Sequence, residues 1–160
     1  MTIMESDMET FKFEIFQKEN PGIPLFEVIS LPSSRTHAIQ QQLFKSLQIE
    51  GSSGHQLDKR LHNDAKILAQ SVFDERFSIE SLFNDMGFHD DFVYVTWDTF
   101  TNIDQIHLKD FCKWFQYIWY PSSDDIDVFN DELTWILHIY HYGTIALTQL
   151  RSEATSRIER

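Results

Sequence analysis

The segment WYPSSDDIDVFNDELTW, residues 119–135, crowds carboxylates among aromatic rings. Asp124, Asp125 and Asp127 lie almost side by side, and Asp131 and Glu132 follow them. Trp119, Tyr120, Phe129 and Trp135 stand between and around them. Three chemistries use carboxylates at such density: metal ligation, acid–base catalysis, and recognition of a cationic partner.

Metal ligation fits poorly at this spacing. A calcium loop takes oxygens at alternate positions, a glycine at its sharp turn and a distal bidentate glutamate. Asp125 and Asp127 keep that register, but Phe129 occupies its next position and no glycine follows. Zinc asks for Cys or His at close spacing. His138 and His141 are three apart, which on a strand sends them to opposite faces. His37, His55, His62, His89 and His107 are scattered, and neither HExxH nor CxxC occurs. No metal or other cofactor is expected.

Catalysis by carboxylates needs an acid and a base in different environments across a cleft. Among 25 acidic residues, closeness along the chain singles out no such pair. There is no GxSxG, and GSSG at 51–54 lacks the lysine and the spacing of a phosphate-cradling loop. The lone Cys112 excludes an internal disulfide, and it sits at helical apolar spacing in DFCKWF without a basic neighbourhood. It reads as a structural thiol.

Recognition remains. The net charge is −12, and residues 85–132 carry 11 acids against 2 bases. Such a field disfavours direct contact with nucleic-acid phosphates and favours fast encounter with a basic protein. Aromatic rings add contact area at low entropic cost. The predicted partner-binding residues are Tyr120, Asp124, Asp125, Asp127, Phe129, Asp131 and Glu132, with Tyr120 and Phe129 as apolar anchors if exposed. HDDFVYVTWD at 89–98 has a similar composition, and Asp90, Asp91 and Asp98 extend the patch if the fold brings them to it. The bland alternative is a solvated loop with Trp119 and Trp135 in the core.

The elements that position these residues follow from periodicity. Alternation in FKFEIF (11–16) predicts a strand, and LFEVIS (25–30) a second one paired with it as a hairpin. A serine-capped helix is predicted after Pro32, with Ile39, Leu43 and Leu47 on one face. The stretch 55–77 predicts one long helix through Leu57, Leu61, Leu68 and Val72. SIESLFNDMG predicts a short helix closed by Gly87. DFVYVTW (91–97) is a predicted strand, residues 105–117 a helix, and DIDVF (125–129), LTWILHIY (133–140) and TIAL (144–147) strands joined by tight turns. This order predicts a single α+β domain over 1–160, mainly an antiparallel sheet with helices packed on one face. Residues 1–10 and 148–160 are expected to fray. No secretory leader and no apolar run of membrane-spanning length is read, so a cytoplasmic protein is expected.

From Trp119 to Gly143 the run WYPSSDDIDVFNDELTWILHIYHYG resembles small bacterial immunity proteins of contact-dependent and polymorphic toxin systems. The shared features are a Trp-Tyr-Pro, an Asp-Asp-Ile, and a Trp-containing strand ending in His-x-Gly, all in the last third of the chain. The resemblance implies a non-enzymatic protein that neutralises one cognate toxin domain, for which a nuclease with a basic active site is a natural partner. Two other readings stay open: a nucleic-acid mimic or adaptor that occupies basic host proteins, and an enzyme with an unrecognised carboxylate site.

Overall fold

The computed structural model describes residues 8–150. Its centre is a seven-stranded antiparallel sheet in the order β1-β4-β3-β5-β6-β7-β2. The strands are β1 (Val28–Ser30), β2 (Lys66–Ser71), β3 (Phe92–Asp98), β4 (Asn102–His107), β5 (Ile126–Phe129), β6 (Trp135–Ile139) and β7 (Thr144–Gln149). The helices are α1 (Thr10–Glu19), α2 (Ser33–Ser46), α3 (Gly54–Asp64), α4 (Ile79–Met86), α5 (Leu108–Lys113) and α6 (Phe115–Ile118). This is the expected α+β architecture.

Strand alternation sorts the core into two layers. Val93 and Val95 of β3, Ile126 and Val128 of β5, and Trp135, Leu137 and Ile139 of β6 face α1, α4, α5 and α6. Tyr94, Phe129 and Ile136, one step out of phase, join α2 and α3 through Leu43, Leu57 and Leu61. The expected layer of helices is therefore present, and a second layer covers the opposite face. With both faces covered, β5 and β6 are buried at every position, as burial on two sides requires.

β3, β5, β6 and β7 form where their β-branched and aromatic runs predict them. The turn between β5 and β6 is built by Asn130, whose side chain accepts from Thr134 N and donates to Thr134 Oγ1. Gly87 ends α4 in the left-handed conformation at φ 74° and donates back to Asn84 O. Gly143 does the same for the β6–β7 turn at φ 89°. A Cβ there would lie 2.5 Å from the Phe73 ring, so glycine is required twice over.

Three predicted elements differ. Residues 11–16 form helix, not strand: Lys12, Phe13 and Phe16 share the buried face of α1 and Phe11 is exposed. Over six residues, alternation and helical spacing overlap, and packing chose the helix. β1 consequently pairs with β4, not with that segment. The long helix from 55 ends at Asp64, and 66–71 becomes the edge strand β2 on β7. Its burial pattern is nearly all exposed, so pairing with the sheet edge, not a buried stripe, decides its conformation. The helix expected over 105–117 begins as β4, paired with β3, and turns helical only at Leu108. The terminal segments expected to fray are partly ordered: Met8 is buried, and Thr148 and Gln149 close β7. The remainder of those segments lies outside the described residues. Among the described residues, no helix is long and apolar enough to cross a membrane.

Candidate functional site

The acidic segment divides into internal and external carboxylates. Asp124 is internal, 7% exposed, and closes the loop after α6. Its Oδ2 accepts from the backbone N–H of Tyr120 at 2.9 Å and from Lys12 Nζ at 2.6 Å. The indole N–H of Trp119 donates to its carbonyl. Lys12 is itself fully buried, donates to the Ile118 carbonyl at 2.9 Å, and lies 4.5 Å from the centre of the Trp97 ring. Trp-Tyr-Pro followed by Asp124 is thus a self-bonded loop anchored on α1. Phe129 is fully buried against Tyr94 and Phe100, so it cannot serve as a surface anchor. Asp124 and Asp127 are likewise withdrawn from a partner's reach by their internal bonds. Tyr120 is half-buried beside Phe11. Asp125, Asp131 and Glu132 are exposed; Asp131 pairs with Arg35 of α2, and Asp125 accepts from the His141 N–H.

Asp127 leads to the most polar arrangement of the molecule. The β5–β6 register sets it directly opposite His138, on the face that α3 covers. Asp127 Oδ1 is 2.6 Å from His138 Nδ1, and His138 Nε2 is 2.8 Å from Thr148 Oγ1. The Thr148 hydroxyl donates to the carbonyl of Leu61 in α3. With that proton committed, Thr148 Oγ1 is placed to accept from His138 Nε2, while His138 Nδ1 faces the Asp127 carboxylate. The sequence carboxylate–imidazole–hydroxyl has the order of an acyl-transfer triad. Here, however, the hydroxyl is 3% exposed and committed to a backbone carbonyl, so these bonds join sheet to helix.

His62, in the last turn of α3, extends the arrangement outward. Its ring lies 4.7 Å from that of His138. Its Nδ1 is 2.6 Å from the Tyr140 hydroxyl and its Nε2 is 3.0 Å from Asp58 Oδ1. Burial, reinforced by the charge of Asp127, pushes the Tyr140 phenol up to about 12, so it stays protonated and donates to His62. His62 and Tyr140 line a cleft of about 360 Å³ together with Asp58, Trp97, Asp98, Asp125 and Asp127. Among the described residues, no Lys or Arg lines it. Asp98, at the end of β3, thereby joins Asp125 and Asp127. Asp90 and Asp91, at the other end of β3, border a different concavity.

That second concavity, of about 910 Å³, runs between α4, α5 and the start of β3. Cys112 lines it, and burial together with the charge of Glu80 pushes its thiol up to about 11. The pH consequence is direct: the thiolate is the reactive form, and it is scarce below that value. Alkylation by iodoacetamide, followed by intact mass, should run roughly a hundredfold slower at about pH 8 than for an ordinary thiol, and should accelerate about tenfold per pH unit up to about pH 10. A rate that levels off below about pH 9 would contradict the burial of this thiol.

Sequence reasoning did not find Lys12, Asp58, His62, Tyr140 or Thr148. Only the pairing of distant elements reveals them. One signal was available: Asp127 and His138 fall opposite each other once the Asn130–Asp131 turn between two predicted strands is accepted. Comparison of the chain with known protein families, with curated proteins and with solved structures gave no match.

Proposed function

We propose that this chain is a cytoplasmic immunity-type inhibitor that binds and neutralises a toxin domain with a basic surface. One observation carries the reading: Asp58, Asp98 and Asp125, from three separate segments, converge with Asp127 on one concave cleft that has no Lys or Arg in its lining among the described residues. Their mutual repulsion is a standing cost that a cationic side chain from a partner relieves. Aromatic contact area lies alongside. Tyr142 is exposed and stacks on Tyr140 at 5.4 Å, and Phe73 is exposed on the neighbouring turn. A toxin Arg or Lys inserted between these carboxylates, with Tyr142 as an anchor at the rim, occludes the toxin's active site or a neighbouring region. The contact residues are therefore Asp58, Asp98, Asp125 and Tyr142, while Asp124, Asp127 and Phe129 of the original segment are internal supports. The non-enzymatic reading is supported by the burial of Thr148, the hydroxyl that is bonded to His138.

The test begins with a pull-down of the tagged protein from its own organism at low and high salt, and continues with association kinetics against the captured partner. Asp58→Asn, Asp98→Asn and Asp125→Asn each keep an acceptor oxygen for the bonds they make. Combined, they should slow association at least about tenfold at low salt, with a much smaller effect at high salt. An unchanged rate sinks the cleft as the contact surface. Capture of several unrelated basic proteins would favour the adaptor or nucleic-acid-mimic reading.

A further inference from the structure

We propose that His62, Asp127 and His138 bind one divalent first-row transition ion of the zinc class. The inference is independent of the inhibitor reading. The three residues come from α3, β5 and β6, and each offers a ligand atom within 4.8 Å of the other two. Two imidazoles and one carboxylate form a donor set suited to zinc and its neighbours, and leave room for an additional ligand.

The outer hydrogen bonds are those of metal-bound histidines. A ligating imidazole usually holds its second ring nitrogen on a carboxylate, carbonyl or hydroxyl, which fixes the tautomer and aims the other nitrogen. His138 Nε2–H is held by Thr148 Oγ1, itself fixed to the Leu61 carbonyl. His62 Nε2 is held by Asp58 Oδ1. Both rings thereby turn Nδ1 inward. His138 Nδ1 meets Asp127 Oδ1, and His62 Nδ1 meets the Tyr140 hydroxyl. An ion takes the place of the proton between His138 and Asp127 and displaces the Tyr140 hydroxyl from His62. Tyr140 or a water then completes the shell.

The site has an entrance. His62 and Asp127 line the acidic cleft, whose rim attracts cations. It also has a structural consequence: an ion there ties α3 to the centre of the sheet, in addition to Leu57, Leu61 and the Thr148–Leu61 bond and in place of the His62–Tyr140 bond.

The experiment is equilibrium dialysis of the tag-free protein against Zn²⁺ with metal analysis, paired with thermal unfolding. One equivalent per chain is expected, and a hundredfold excess over Kd should raise Tm by about 5–10 °C. His138 and Asp127 are buried, so their variants risk misfolding. His62→Gln, on a partly exposed helix face, carries the test. It should weaken binding about a hundredfold or more and abolish the Tm rise, while Asp58→Asn weakens binding about tenfold. His55→Gln, exposed on the same helix, should change neither. Co²⁺ gives a second readout, a visible absorption band present in the wild-type protein and lost in His62→Gln. Failure to bind one equivalent, or binding that His62→Gln leaves intact, overturns the proposal.

Discussion

Replacing Lys12 by methionine lowers the stability of the fold by about 3–5 kcal/mol, read as a shift of the urea midpoint. The side chain is buried completely, and its ammonium is held by Asp124 Oδ2 at 2.6 Å, by the Ile118 carbonyl at 2.9 Å and by the face of Trp97. Methionine retains the stem and its packing, but it leaves the Asp124 carboxylate buried without its cation. An uncompensated buried charge is costly, whereas the intact pair can be close to neutral against an apolar replacement. Asp124 has a second duty, because it accepts from the Tyr120 N–H. Asp124→Asn keeps that bond and removes the charge, so Lys12→Met combined with Asp124→Asn should recover at least about 1 kcal/mol relative to the sum of the single variants. Simple additivity, or a cost for Lys12→Met below about 1 kcal/mol, would show that the pair does not hold α1 to the 119–124 loop.

The same pair shows what the sequence made legible and what it did not. Carboxylates crowded among aromatic residues look like a binding surface, because that is where such mixtures are most useful. Asp124 is a structural ion-pair member instead, and its partner lies 112 residues away on a segment whose alternation suggested a strand. Local pattern cannot report a contact of that range. Where pattern and packing agree, the reading succeeds. β3, β5, β6 and β7 are β-branched or aromatic runs closed by real turn residues, and α4 ends at a glycine that needs a positive φ. It fails where a segment's conformation is set by what it pairs with. KILAQS has good helix formers, yet it is β2 because the free edge of β7 takes it. NIDQIH is β4 because β3 and β1 flank it on both sides. The candidate site follows the same division. Asp125, Asp131 and Glu132 are exposed, but the cleft is completed by Asp58 and His62 from a helix that nothing in the acidic segment points to.

Asp127→Ala should cost about 3–5 kcal/mol, and Asp127→Asn should cost markedly less, on the order of 1–2 kcal/mol. The ordering follows from where the protons sit. His138 is fully buried, and its Nε2–H is committed to Thr148, whose own hydroxyl proton goes to Leu61. The 2.6 Å contact at Nδ1 joins the ring to the Asp127 carboxylate. Alanine removes the acceptor, the charge and the side-chain volume, and leaves the buried His138 Nδ1 without its partner. Asparagine keeps the shape. Its amide N–H can donate to His138 Nδ1 while Nε2 stays on Thr148. Every buried polar atom of the group thus keeps a partner. Chemical denaturation of the two variants checks the ordering, and the Nδ1 and Nε2 nitrogen shifts of His138 report the tautomer directly. Equal losses for alanine and asparagine would mean that the charge, not the hydrogen bond, supports this part of the sheet. The consequence reaches the cleft: His138 and Thr148 link β6 and β7 to the Leu61 turn of α3, and that turn adjoins His62. A variant that loosens His138 should therefore also disturb the position of His62 and Asp58, which form one wall of the site.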